Sequence, residues 1–220
     1  PPVMTATRSR HSTRSVRYME RFLLASVGAR INQLPPDGTN PIIGNLQPHW
    51  NTAMGEASLP QIDVRDIDAL RAMVSERFGD WSASLLITQD MVNRFAELTG
   101  DRQWIHVDVE RACRESPFGA PIVHGFLLLS LMPSLRAPQT FALAHVASAA
   151  NFGSEGLRFL APVKVGSSIH LRQRLKDAHV HRRGTLLTSE VAIHVVGQER
   201  PALLYDLQVL YVPAASRDTV

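Results

Sequence analysis

The run Phe126-Leu127-Leu128-Leu129-Ser130-Leu131-Met132-Pro133-Ser134-Leu135, headed by Gly125, is the longest apolar stretch in the chain. It is too short to span a bilayer, and Ser130, Pro133 and Ser134 interrupt it. The expectation is therefore a long buried helix from about Gly125 to Leu135. Beyond it the hydrophobic period changes from helical to two. Residues 168–175 set Ile169, Leu171 and Leu175 against His170, Arg172 and Arg174. Residues 185–196 align Leu187, Val191, Ile193 and Val195, and residues 202–212 align Leu203, Tyr205, Leu207, Val209 and Tyr211. Gly184 and the segment Gly197-Gln198-Glu199-Arg200 mark the turns between them. Three consecutive antiparallel strands behind one long apolar helix predict an α+β fold, with the sheet wrapped on that helix.

Ahead of Gly125 the spacing predicts a helix over Asp66–Phe78, with Ile67, Leu70, Met73 and Val74 on one face, and a strand over Trp81–Ile87. Thr88 is placed to cap a helix over 89–99 whose apolar face is Met91, Val92, Phe95 and Leu98. Gly100 follows at the position where a left-handed residue closes a helix. Asp108 is placed to cap a short helix over 109–114.

A length of 220 residues with 45% hydrophobic content allows one large domain or one domain with an extension. The single cysteine, Cys113, excludes an intrachain disulfide and is compatible with a reducing compartment. Residues 1–35 hold six arginines and one acid, Glu20, although the net charge is only +3. The rest of the chain thus carries more acids than bases, and no basic face for nucleic acid is expected on the core. We expect 1–64 to be a basic extension, helical over 14–33 and irregular over 37–61, ahead of a domain over 65–220. The extension reads as a surface arm; its Arg-rich, acid-poor composition also fits a targeting peptide. A cytoplasmic location without membrane contact is expected.

The chemistry concentrates just before the apolar run. Gly100-Asp101-Arg102-Gln103-Trp104-Ile105-His106-Val107-Asp108 places a carboxylate and an imidazole five residues apart, on a loop that starts at a helix end. Such a pair can hold one water from two sides, one group taking a proton and the other orienting the water or returning a proton. Gly125, at the head of the next helix, offers a backbone N–H with no intrahelical partner and room for close approach. Packing and oxyanion binding can coexist at this residue. Asp108 reads as a cap, Cys113 has no base beside it, and His179-x-His181 lacks a third ligand.

In order, Asp101, His106 and Asp108, then Phe118-Gly119 and His124-Gly125, resemble the MaoC-like (R)-specific enoyl-CoA hydratases. Asn151-Phe152-Gly153 and Arg158-Phe159-x-x-Pro162-Val163-x-x-Gly166 resemble their NodN-like branch. The resemblance covers roughly residues 65–213. It implies a hot-dog fold and reversible hydration of a trans-2-enoyl thioester, an enoyl-CoA, to the (R)-3-hydroxyacyl thioester in fatty acid metabolism. It assigns Asp101, His106 and Gly125 to catalysis. Gln103, Trp104, Phe118, Gly119, His124 and Arg158 become substrate-binding candidates, with His124 mainly structural. Neither metal nor cofactor is implied, and a homodimer or higher oligomer is. Arg158, Lys164, Arg172 and Arg174 are candidates to meet the CoA phosphates. The departure is Gln103-Trp104, where the family usually has Asn-Pro, which bears on acyl preference. A hot-dog thioesterase usually carries an acid on the central helix, and residues 126–135 have none. A non-catalytic acyl-thioester binder would lack a reason to keep Asp101 and His106 together.

Overall fold

The structure, a computed structural model, describes residues 59–215. In chain order these form β1 (Gln61–Asp63), α1 (Ile67–Ala72), β2 (Leu85–Leu86), α2 (Gln89–Thr99), α3 (Trp104–Val107), α4 (Val109–Glu115), α5 (Gly125–Ser130), α6 (Met132–Leu135), β3 (Ala142–Ala144), β4 (Val146–Phe159), β5 (Ser168–His181), β6 (Gly184–Val195) and β7 (Leu203–Pro213). The helix expected over 14–33, and the linker expected over 37–61 up to residue 58, lie outside the described residues.

The three period-two segments become β5, β6 and β7, the middle of a five-stranded antiparallel sheet in the order β2-β5-β6-β7-β4. Alternation sorts its side chains to two faces. Phe159, Leu203, Ile193 and Leu171 are register partners from β4 across to β5, and the neighbouring row is Arg158, Leu204, Ala192 and Arg172. Leu203, Ile193 and Leu171 are buried with Leu127 and Leu128 of α5. Each aliphatic side chain withdrawn from water in this way contributes about 1.5–3 kcal/mol. The sheet is thus wrapped on the α5 helix, which is the hot-dog fold. The row containing Arg158 and Arg172 faces away from it.

Three differences from the sequence reading have local causes. The central helix is not continuous: α5 ends at Ser130, and Leu131 links it to the four-residue α6. Pro133 lacks an N–H and its ring crowds the carbonyl four residues back, so the α-helical ladder cannot run through it. Asp66 caps α1 through the N–H of Ala69, but the helix stops at Ala72. The chain then runs along β5, with Ser75, Gly79 and Ser82 donating N–H to the carbonyls of Leu175, Gln173 and Leu171. Of the strand expected over Trp81–Ile87, only Leu85–Leu86 is regular. β1 pairs in parallel with β3, and Ile62 and Val64 are buried.

Candidate active site

The capped helix α2 and the short helix α3 position Asp101 and His106. Thr88 Oγ1 accepts the N–H of Met91 to start α2, a cap that typically contributes about 1 kcal/mol. Gly100 ends it in the left-handed conformation (φ 79°), which a side chain would disfavour. Asp101 follows on the exposed loop, and α3 carries His106 inward. Gln89 Nε2 donates to the His106 carbonyl at 2.8 Å, tying α3 back to α2. Ile122 N–H donates to the Ile105 carbonyl at 3.0 Å, which brings the chain leading into α5 alongside.

The same Ile122 sets the state of the imidazole. His106 Nδ1 lies 2.7 Å from the Ile122 carbonyl oxygen. A carbonyl only accepts, so Nδ1 carries the proton and Nε2 keeps its lone pair. His106 is 8% exposed. Burial pushes its pKa down; the Ile122 carbonyl and Asp101 oppose that, and the neighbouring His124 adds to it. The result is a neutral imidazole with a free basic nitrogen.

His124 lies behind His106, the two rings stacked at 3.8 Å. It is 3% exposed, with Phe95 on its flank. Its Nε2–H donates to the Asp101 backbone carbonyl at 3.0 Å, and Nε2 is 3.9 Å from Asp101 Oδ2. Asp101, His106 and His124 each place a nitrogen or carboxylate oxygen within 4.8 Å of the others. One water making two hydrogen bonds of about 2.8 Å spans such a gap. A metal ion fits less well. The ring planes differ by only 27°, so the in-plane lone pairs run side by side, and each ring already gives a proton to a carbonyl.

His106 and Gly125 open onto a groove of about 420 Å³, otherwise lined by Ile122, Val123, Phe126, Leu128, Phe159, Leu160, Ala161, Pro162 and Val163. Its polar chemistry is therefore confined to one imidazole and the backbone. The segment after β4 closes it: Val123 N–H donates to the Val163 carbonyl, and Val165 N–H to that of Pro121. Gly125 begins α5, where its N–H has no intrahelical acceptor. A Cβ there would lie 2.7 Å from the Phe159 ring, so a side chain at 125 requires that ring to shift.

The structure brings Asp101, His106 and His124 together, and of the expected residues only His106 and Gly125 line the groove. Gln103 is exposed at the start of α3, and Trp104 lies under the Arg111 guanidinium at 4.4 Å. Phe118 is half-buried in the turn that Gly119 closes at φ 63°. Arg158 lines a separate cavity with Glu155, Glu190 and Asp206 on the far face of the sheet. Of the basic residues considered for phosphate, Arg172 is held between Phe78 and Trp81, and Arg174 is bonded to Glu76 and Glu190. Lys164 lies beside the groove as the bridge partner of Ile122. Sequence reasoning passed over Ile122 and Phe159. β4 is largely exposed and shows no alternation in burial, so its sequence carries no signal for Phe159.

Residues 76–196 match the MaoC like domain family model. The chain is 41% identical over 146 residues to 3-hydroxyacyl-thioester dehydratase Z of Mycobacterium tuberculosis, covering 65% of this chain and 93% of that protein. It is 36% identical over 144 residues to nodulation protein N of Rhizobium meliloti, covering 65% and 87%. Among solved structures it is similar to the monoamine oxidase regulatory protein from Archaeoglobus fulgius, with a TM-score of 0.52 and 23% identity over 63% of this chain and 92% of that one.

Proposed function

We propose that this chain, which belongs to the MaoC-like domain family, catalyses reversible hydration of a trans-2-enoyl thioester, an enoyl-CoA, to the (R)-3-hydroxyacyl thioester. The observation that carries the reading is the Nδ1–H bond from His106 to Ile122, which leaves a basic Nε2 beside Asp101 at the mouth of an apolar groove. In the hydration direction a water sits between Asp101 and His106. One of them removes a proton as the water oxygen bonds to Cβ. The Cα–Cβ π electrons move toward the carbonyl, giving an enolate whose oxygen faces the Gly125 N–H. A proton is then returned to Cα. Such a donor commonly contributes several kcal/mol to the transition state. Delivering both parts of one water from one side gives syn addition. No step calls on a metal or redox cofactor.

The relative from Mycobacterium tuberculosis bears the name of a dehydratase acting on 3-hydroxyacyl thioesters, the reverse of this reaction. The apolar groove suits an acyl chain, and Lys164 beside it is placed for a CoA phosphate. We also propose a homodimer or higher oligomer. β4 is 14 residues long, largely exposed, and lies at one edge of the sheet, where its outer side is free to pair. Light scattering on the purified chain tests that; a monomer at working concentration would refute it.

The test of the activity is loss of the enoyl-thioester absorbance with crotonyl-CoA and longer trans-2-enoyl-CoAs, with chiral analysis of the product. Formation of the (R)-3-hydroxyacyl-CoA supports the reading. Release of free CoA would indicate a thioesterase, and binding of acyl-CoA without conversion would indicate a binding protein.

A further inference from the structure

Gly125 lacks a side chain in a place where the neighbouring space is already taken. A Cβ built on it would lie 2.7, 2.8 and 3.1 Å from three carbons of the Phe159 ring. That ring packs edge to face on Phe126, with centroids 5.5 Å apart. Both phenylalanines line the groove with His106, yet Phe159 is 47% and Phe126 61% exposed. Two adjacent aromatic rings left half in water at the rim of an apolar groove mark a surface that a ligand covers.

The register explains why Phe159 sits there. It is the last residue of β4 and pairs with Leu203, which pairs in turn with Ile193. The latter two are fully buried, so the backbone under Phe159 is anchored to the core while its ring reaches the rim. The carbons nearest Gly125 are Cδ1, Cε1 and Cζ of the ring, which stands on that anchored backbone.

We propose that Phe159 is a specificity-determining residue that restricts the groove to acyl groups unbranched next to the thioester carbonyl. The proposal rests on the reading that the Gly125 N–H receives the carbonyl oxygen. An acyl Cα bonded to that carbonyl lies one bond further on, beside the Phe159 ring. A methyl branch at Cα on that side then meets the Phe159 ring. Linear 2-enoyl thioesters pass along the face that the two rings line; 2-methyl-branched ones are excluded. Replacing Phe159 with a smaller residue opens that side.

The test compares binding of two unreactive saturated analogues, butyryl-CoA and 2-methylbutyryl-CoA, to the full chain by titration calorimetry. Wild type, Phe159→Ala and Phe159→Leu are measured, with crotonyl-CoA and tiglyl-CoA turnover alongside. Wild type is expected to favour butyryl-CoA by roughly tenfold or more, the usual scale for one misplaced methyl group. Phe159→Ala is expected to bring the two within about threefold, with Phe159→Leu between. Should Phe159→Ala fail to fold, Phe159→Leu carries the same comparison. Equal discrimination in wild type and the variants would overturn the proposal, as would a wild type that does not discriminate. Discrimination that depends on Phe159 without any crotonyl-CoA turnover would instead overturn the hydratase reading and leave the specificity assignment standing.

Discussion

His124 donates its Nε2–H to the backbone carbonyl of Asp101 at 3.0 Å, across 23 positions of sequence. That bond ties the loop carrying the carboxylate to the residue directly before Gly125. It links the proposed acid–base pair to the proposed oxyanion donor, although they stand on different elements. We propose His124 as a positioning residue; its ring also stacks on His106.

Replacing His124 with Phe keeps a ring in the stack and removes the donor. We expect a loss of about 1–3 kcal/mol in urea unfolding, because a buried hydrogen bond is broken. Crotonyl-CoA turnover should fall further than stability does. His124→Gln, whose amide can donate in place of Nε2–H, should recover part of both. A His124→Phe enzyme with unchanged kcat would show that the carbonyl bond does not position Asp101.

Asp101→Asn and His106→Gln should each lower kcat for hydration by about 10²–10⁴-fold, the usual contribution of a general acid or base. Asp101 is exposed, so Asp101→Asn should leave the melting temperature near that of wild type. Circular dichroism melts beside the kinetics separate the two effects. Near-wild-type kcat in either variant would remove that residue from the mechanism.

Burial lowers the pKa of His106, His170 and His194 below the ordinary histidine value. In the unfolded chain each takes up its proton near pH 6.5. Between that pH and the lower folded values, the unfolded state binds more protons. Stability is therefore fully present above about pH 6.5 and is lost as pH falls through that window. Urea unfolding at a series of pH values should show this decline. The acid limb of kcat/KM should lie below pH 6.5, since His106 keeps its lone pair to lower pH; a limb above that value would contradict a buried neutral base.

Gly125→Ala should destabilise the fold by about 1–3 kcal/mol, as overpacking typically does, because the new methyl meets the Phe159 ring. Pairing it with Phe159→Ala should cancel most of that added cost. Thermal or urea unfolding of both singles and the double completes the cycle. Additive losses in the double variant would mean that Phe159 is not what requires glycine at 125.

Much of this protein was legible as sequence, because its signals are local. Thr88, Gly100 and Asp108 do at α2 and α4 what their side chains or lack of one predict. The three alternating segments are the three central strands, each with one face turned to the core. Asp101, His106 and Gly125 are proposed as a set through the family resemblance that the residues around them carry. β4 escaped notice because Val146–Phe159 is largely exposed and rich in small residues, so burial imposed no period of two. The break at Leu131 was hidden because the apolar pattern runs on past Pro133.

What only the tertiary structure decided are relations between segments far apart in the chain. Ile122 selects the His106 tautomer from 16 positions away, and His124 reaches Asp101 from the next segment. β4 pairs with β7 in a register that turns Arg158 away from the groove and Phe159 onto Gly125. Spacing along one segment specifies which way a side chain points relative to its own backbone. What it points at depends on which other segment packs there, and the common core makes that choice.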